Sequence, residues 1–173
     1  MPCPVVIIEG LIASGKSSLT QDLHQQLPGS EAMLEPDESS GNPYLADFYT
    51  DKTRWGFVMQ IHLLALRFRM QQKAQWLSLS GTSVLLDRSY YGDTCFARML
   101  TDGGFMTPRE FETYRSIYQS MTASVMLPSM CIRLLVTPET AAKRIATRSE
   151  KRTGRRCESV IDLGYLIALD REI

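Results

Sequence analysis

Near the N-terminus the chain reads Gly10-Leu11-Ile12-Ala13-Ser14-Gly15-Lys16-Ser17-Ser18, which fits the pattern G-x-x-x-x-G-K-[ST]. No other stretch limits the possible folds as tightly. Such a loop wraps phosphate oxygens in backbone N–H groups, while its lysine reaches the outer phosphates and the next hydroxyl reaches Mg²⁺. It works only between a strand and a helix, and both are predicted. Val5-Val6-Ile7-Ile8 is a β-branched apolar run of the kind buried on both faces of a parallel sheet, and Ser17 to Leu27 reads as a helix. Gly10, Ala13, Ser14, Gly15, Lys16, Ser17 and Ser18 are therefore the candidate phosphate-binding residues.

A chain of 173 residues is most simply one domain, 1–173, which buries about 70% of its unfolded surface without staples. Nineteen basic and nineteen acidic residues cancel, so no global field recommends a nucleic acid or an acidic membrane as partner. Cys3, Cys95, Cys131 and Cys157 are widely spaced with no C-x-x-C pattern, and His24 and His62 are the only histidines. These read as reduced thiols, not as a zinc site or a disulfide frame. No basic residue precedes the first apolar run, Glu9 interrupts it early, and no apolar stretch reaches membrane-spanning length. The expectation is a soluble, cytoplasmic protein.

Ala32-Met33-Leu34-Glu35-Pro36 reads as a second strand with Glu35 at its C-terminal end. In open parallel sheets the ligand crevice lies beyond the carboxyl ends of the strands, so Glu35 is placed either for chemistry or as a solvated loop acid beside Asp37 and Glu38. Pro43 is predicted to open a short helix, and Arg54 to Leu79 forms the longest helical segment. Along it Trp55, Met59, Leu63 and Arg67 recur every four residues with Gln60 beside them. Such a stripe is usually core. A charge at its end, Arg67, needs a partner or a ligand if it is buried.

Val84-Leu85-Leu86 leads into Asp87-Arg88-Ser89, a third strand ending in charge. An acid there, behind a phosphate loop, holds Mg²⁺ directly or through water, or else caps the following helix, predicted from Tyr90 to Leu100. Thr107-Pro108-Arg109-Glu110 is an N-cap, N1 proline and capping-box acid in order. The helix it opens carries Phe111, Tyr114, Ile117, Tyr118 and Met121 on one face, read as core or subunit contact and not as a site. Cys131 to Val136 is a fourth strand, and Arg133 within it suggests a sheet edge. The next helix starts at Thr137-Pro138-Glu139 and enters a basic run. Lys143, Arg144, Arg148, Lys151, Arg152, Arg155 and Arg156 stand there against one acid, Glu150. Such a run is either a solvated face or, beside a phosphate loop, a closing segment that supplies charge to a transferring phosphoryl group. Arg144 and Arg148 lie one helical turn apart.

Taken in order, the phosphate loop, Glu35-Pro36, Asn42-Pro43-Tyr44-Leu45, Phe48-Tyr49, Trp55, Gln60, Asp87-Arg88-Ser89, the arginine-rich segment ending in Glu158, and Tyr165-Leu166 resemble the deoxynucleoside kinase family. The likeness is to the deoxycytidine, deoxyguanosine and deoxyadenosine kinases, particularly their compact bacterial and viral members. It covers essentially the whole chain. The resemblance implies an α/β fold of the P-loop NTPase-like kind: a doubly wound parallel sheet of four to five strands flanked by helices, with an arginine-rich lid at about 144–158.

It also implies ATP or another NTP as donor, Mg²⁺ held with Ser17 and Asp87, and transfer to the 5′-hydroxyl of a deoxynucleoside. Glu35 would be the general base, Arg88 would hold Glu35 and the 5′-oxygen, and Lys16, Arg144 and Arg148 would stabilise transferring charge. Tyr49 and Glu158 match the pair that grips the sugar 3′-hydroxyl, and Gln60 matches the glutamine that hydrogen-bonds the base between walls of Trp55 and Met59. Arg67 matches an arginine that pairs with an acid, here Asp93, in relatives preferring deoxycytidine or deoxyguanosine. A purine deoxynucleoside or deoxycytidine is thus favoured, and a homodimer is implied. Against the family pattern, Ser149 to Gly154 lengthen the lid, and the chain stops at Ile173 where relatives continue into a fifth strand. That leaves strand 131–136 as an expected exposed edge. The rival readings are a thymidine or thymidylate kinase and, outside catalysis, a nucleotide-binding switch; against the switch, the chain has neither N-K-x-D nor D-x-x-G.

Overall fold

The computed structural model describes residues 2–36, 42–151 and 161–173, with 148–151 described by backbone alone. Four strands, β1 (Val5–Gly10), β2 (Glu31–Met33), β3 (Val84–Asp87) and β4 (Met130–Leu134), form one parallel sheet in the order β2-β3-β1-β4. Val5 pairs with Val84, Ile7 with Leu86, Ala32 with Leu85 and Ile8 with Ile132. Around the sheet lie α1 (Lys16–Gln26), α2 (Leu45–Thr50), α3 (Lys52–Leu79), α4 (Asp93–Asp102), α5 (Pro108–Thr122), α6 (Pro138–Lys151) and α7 (Leu163–Glu172). This is the flanked parallel sheet expected from the sequence.

The apolar runs explain the layers. Val84, Leu85 and Leu86 are all buried, as a central strand covered on both faces requires. Val5, Ile7, Val84 and Leu86 project to one side and pack on Ala74 of α3. Alternation along the strands turns their neighbours to the other side, and α1 packs against β1, β2 and β3. A larger cluster gathers Phe48, Leu63, Leu64, Ala97, Tyr114, Ala141, Leu166 and Leu169 from α2 to α7, so the helices share one core beside the sheet. The Thr107 cap forms as expected: its side chain accepts from the Glu110 N–H while the Glu110 carboxylate accepts from the Thr107 N–H at 2.8 Å.

Several boundaries differ from the sequence expectation, each for a local reason. Strand β2 ends at Met33, because its ladder with β3 stops there, so Glu35 stands two residues past the strand. Pro43 does not open α2; it lies in a turn, and the helix starts at Leu45 behind Tyr44. Helix α4 starts at Asp93 instead of Tyr90, because residues 88–92 are held in a turn by side-chain bonds described below. Strand β4 pairs with β1 alone among the described residues, and Arg133 is exposed on it, as an edge position allows.

Candidate active site

The C-terminal ends of β1, β2 and β3 open on one cavity of about 1180 Å³. Its lining runs from the loop residues Ala13 to Ser18, through Glu35, Arg67, Asp87 and Arg88, to Tyr49, Met59, Gln60 and Tyr165. On one wall Gly10 turns the chain out of β1 at φ 143°, where an added Cβ would sit 2.6 Å from the Leu134 carbonyl oxygen. Only glycine fits there. Ala13 is left-handed as well, at φ 59°, and helix α1 begins at Lys16 with its N-terminus toward the cavity.

The Lys16 ammonium donates to the carbonyls of Gly10 at 3.2 Å and Leu11 at 2.9 Å. Burial, helped by repulsion from Arg88, pulls its pKa down to about 7. A phosphate in the loop would reverse that. Ser14 Oγ is buried without a hydrogen-bond partner in the described structure, and Arg144 Nη1 reaches over the loop to the carbonyls of Ala13 at 3.3 Å and Ser14 at 3.0 Å. Ser18 is exposed at the cavity rim.

Behind the loop, Ser17 donates its hydroxyl hydrogen bond to Asp87 Oδ2 at the end of β3. Asp87 Oδ1 is buried with no hydrogen-bond partner among the described residues. Burial pushes the Asp87 carboxyl above its usual value, although the Ser17 bond works against it. Two hard oxygen ligands with an unused buried lone pair suit Mg²⁺, which takes one or two carboxylates and completes its shell with water and phosphate. Among the described residues no cluster of three or more His, Cys, Asp or Glu side chains offers an all-protein metal cage.

The opposite wall is a network of side chains. Glu35 accepts from Arg88 Nε at 3.2 Å and from Arg67 Nη2. Its burial would raise the pKa, but the Arg88, Arg67 and Lys16 charges outweigh that and hold the carboxyl well below the usual carboxylate range. Arg67 bridges to Asp93 through Nη1, and both are almost completely buried. Burial opposes the Arg67 charge, but Asp93 and Glu35 more than restore it. Asp93 Oδ2 also accepts from Gln60 Nε2 at 2.8 Å and from the Tyr114 hydroxyl at 2.6 Å. Gln60 Nε2 reaches the Asp93 carbonyl oxygen as well, at 3.0 Å, so both amide hydrogens are committed and the Oε1 end is the acceptor left for a ligand. The Phe96 ring lies under both arginines, 4.8 Å from the Arg88 guanidinium carbon and 5.5 Å from that of Arg67.

Of the residues singled out in the sequence, Glu35, Arg88, Lys16, Arg144, Tyr49, Met59, Gln60, Arg67, Ser17 and Asp87 meet at this cavity. Three stand apart from its lining: Gly10, which turns the chain out of β1 beneath the loop, and two others. Trp55 packs against the Tyr44 ring at 5.8 Å and under the Arg54 guanidinium at 4.6 Å. Asp93 lies behind the wall and reaches the cavity through Gln60 and Arg67. Glu158 and the side chain of Arg148 fall outside the described residues, as does the lid insertion beyond 151.

Three participants were not foreseen. Tyr114, read as core or subunit contact, is buried core that also donates to Asp93; a hydroxyl on an apolar face was the only hint. The link from Arg67 to Glu35 joins residues 32 apart, which no local spacing reveals. Glu9 accepts from the backbone N–H and hydroxyl of Ser89 at 2.8 and 2.6 Å. Its signal was a carboxylate inside an apolar strand.

Comparison with known proteins adds an independent line. The profile of the family described as deoxynucleoside kinase matches residues 6–172. The chain is 35% identical over 161 residues to deoxyadenosine kinase of Dictyostelium discoideum, covering 93% of this chain and 61% of that protein. It is 34% identical over 167 residues to deoxyguanosine kinase of the same organism, covering 96% of this chain and 56% of the relative. It thus spans less than two thirds of the length of either. Among solved structures, deoxyadenosine kinase from M. mycoides with bound dATP superposes with a TM-score of 0.81 at 27% identity, covering 98% of this chain and 81% of the other.

Proposed function

The chain belongs to the deoxynucleoside kinase family, and on that premise we propose that it transfers the γ-phosphoryl group of ATP or another NTP to the 5′-hydroxyl of a deoxynucleoside. The observation that carries the reading is the placement of Glu35, clamped by Arg88 and Arg67, in the same cavity as the phosphate loop. A donor grip and a poised carboxylate facing one another across a single space suit in-line transfer between two bound molecules.

The loop from Gly10 to Ser18 holds the donor phosphates, with Lys16 leaving the Gly10 and Leu11 carbonyls for phosphate oxygens. Ser17 and Asp87 would hold Mg²⁺, which would supply positive charge to offset that of the phosphate oxygens. Arg144, already over the loop, adds positive charge from the lid side, with Arg148 one turn further along α6. A carboxylate kept as acidic as Glu35 is a weak base toward a resting alcohol. In a loose transfer, however, the hydroxyl proton becomes acidic only as its oxygen bonds phosphorus, so Glu35 orients the 5′-hydroxyl first and takes the proton late. Arg88 fixes that carboxylate through Nε.

At the far end Tyr49 contacts the sugar, paired in the family pattern with Glu158, and Gln60 and Met59 meet the base. Because Gln60 presents its carbonyl oxygen, it favours a base with an exocyclic amino donor: a purine deoxynucleoside or deoxycytidine over thymidine. The named relatives are kinases of deoxyadenosine and deoxyguanosine, which agrees with that preference. The proposal extends to a single kinase domain, to a homodimer and to a cytoplasmic protein; no helix among the described residues is long and apolar enough to cross a membrane.

The direct test is transfer from labelled ATP and GTP to each of the four deoxynucleosides and to dTMP. Deoxynucleoside 5′-monophosphates should form, thymidine being the poorest acceptor. Conversion of dTMP alone would make the chain a thymidylate kinase, and tight GTP binding with no transfer would make it a switch.

A further inference from the structure

We propose that Glu9 is a positioning residue for this reaction: it fixes Arg88, and through Arg88 it ties the acceptor-side carboxylate to the phosphate loop. The proposal rests on the transfer reading above, in which Arg88 holds Glu35. Glu9 is the residue of β1 immediately before Gly10, and it is buried. Its Oε1 accepts two bonds from Ser89, from the backbone N–H at 2.8 Å and from the hydroxyl at 2.6 Å. Its Oε2 lies 3.8 Å from Arg88 Nη1, a buried atom with no hydrogen-bond partner among the described residues. Ser89 Oγ in turn accepts from the Tyr91 N–H at 3.2 Å, so one carboxylate organises the whole turn between β3 and α4.

That turn needs holding, because Arg88 is left-handed at φ 70°. A side chain other than glycine keeps such a conformation only where its surroundings impose it. The consequence is the direction of the guanidinium: Nε points to Glu35 at 3.2 Å and Nη2 to the Gly10 carbonyl at 3.3 Å, over the Phe96 ring. Lys16 uses the same Gly10 carbonyl, so donor loop and acceptor clamp meet on the residue after Glu9.

The neighbourhood is shaped for a carboxylate. A Cβ at Gly92 would lie 2.7 Å from Glu9 Oε2, so the glycine leaves room for the acid. Both donors on Oε1 and the cation beside Oε2 ask for an acceptor-only group. A glutamine of the same size would turn its NH₂ either on the Ser89 donors or on Arg88.

The test compares wild type with Glu9→Gln, Glu9→Ala, Gly92→Ala and the Glu9→Ala/Gly92→Ala pair, in steady-state kinetics run well below each variant's melting midpoint. Glu9→Gln should keep its melting midpoint within a few degrees of wild type and its KM for ATP and nucleoside within about threefold, while kcat falls roughly 10–100-fold, the scale of an ångström of misplacement. Gly92→Ala should lower kcat by pushing the carboxylate aside, and should add nothing in the Glu9→Ala background, where that carboxylate is gone. If Glu9→Ala does not fold, Glu9→Gln and Gly92→Ala decide the matter alone. A folded Glu9→Gln with wild-type kcat, or Gly92→Ala and Glu9→Ala losses that simply multiply, overturns the proposal. Failure of the premise reads differently: wild type that phosphorylates no deoxynucleoside sinks the transfer reading and this one with it, whereas active wild type beside an equally active Glu9→Gln sinks this one alone.

Discussion

The phosphate loop works through backbone groups of one contiguous stretch, Gly10 to Ser18, whereas the opposite wall gathers side chains from the ends of β2 and β3 and from α3, α4 and α5. The loop is built on the glycine at 10 and a helix behind it, and its lysine and serine are the side chains that point to the candidate chemistry. The wall needs two arginines, two acids, a glutamine and a tyrosine, each bonded to another of them. A backbone cradle recognises what all nucleotides share, while a network of buried side chains can distinguish one acceptor from another. In the proposed reaction the first half holds the donor and the second half chooses the acceptor.

Substitutions that strike one half and spare the other sharpen this contrast. The largest effect is expected from Glu35→Gln, which should lower kcat by about 10²–10⁴-fold, the range of a positioned base, with ATP affinity measured by calorimetry unchanged. Near-normal turnover would remove Glu35 from the chemistry. Next comes Arg67→Met combined with Asp93→Ala, which opens the base end: the preference for deoxyadenosine or deoxycytidine over thymidine should fall by about tenfold or more in kcat/KM. An unchanged ranking of the four nucleosides would break the assignment of selectivity to this wall.

A pH series separates the halves without mutation. Lys16, pulled down to about 7 by burial, must regain its proton to meet phosphate. ATP affinity should therefore fall as pH rises, roughly fivefold between pH 7 and 8, with proton uptake seen as a buffer-dependent binding enthalpy. Glu35 lies in the other direction: its carboxyl is held below the usual range, so it stays ionised and contributes no acid limb between pH 5 and 7. The smallest effect is expected far from both halves. Thr107→Ala removes the α5 capping box and should cost about 1 kcal/mol in denaturant unfolding, with kcat and KM unmoved.

How much of this was legible in sequence follows the same division. The loop, the flanking strand and helix and the Thr107 cap are written in local patterns of glycine, β-branched residues and caps. Glu35 was legible as an acid near a strand end, and Arg67 as a charge on an apolar stripe that had to find a partner. Arg88 with Glu35 and Arg67 with Asp93 came from the family resemblance, and both pairs form; the other pairings could not be read. Arg67 to Glu35, Tyr114 to Asp93 and Glu9 to Ser89 join residues 32, 21 and 80 apart, brought together by the parallel sheet and its crossovers, not by any helical or strand period. Trp55 shows the converse: it shares a helical face with Met59, but its large ring finds Tyr44 and Arg54 outside the cavity.

The most direct measurement is a crystal structure of the protein with deoxyadenosine and a non-hydrolysable ATP analogue bound together. The 5′-oxygen should lie within about 2.6–3.2 Å of a Glu35 carboxylate oxygen, on the line from the γ-phosphate in the Gly10–Ser18 loop, with the base amino group donating to Gln60 Oε1. A nucleoside whose 5′-oxygen lies away from Glu35, or an acceptor cavity left empty with Glu35 still bonded to Arg67, would contradict it.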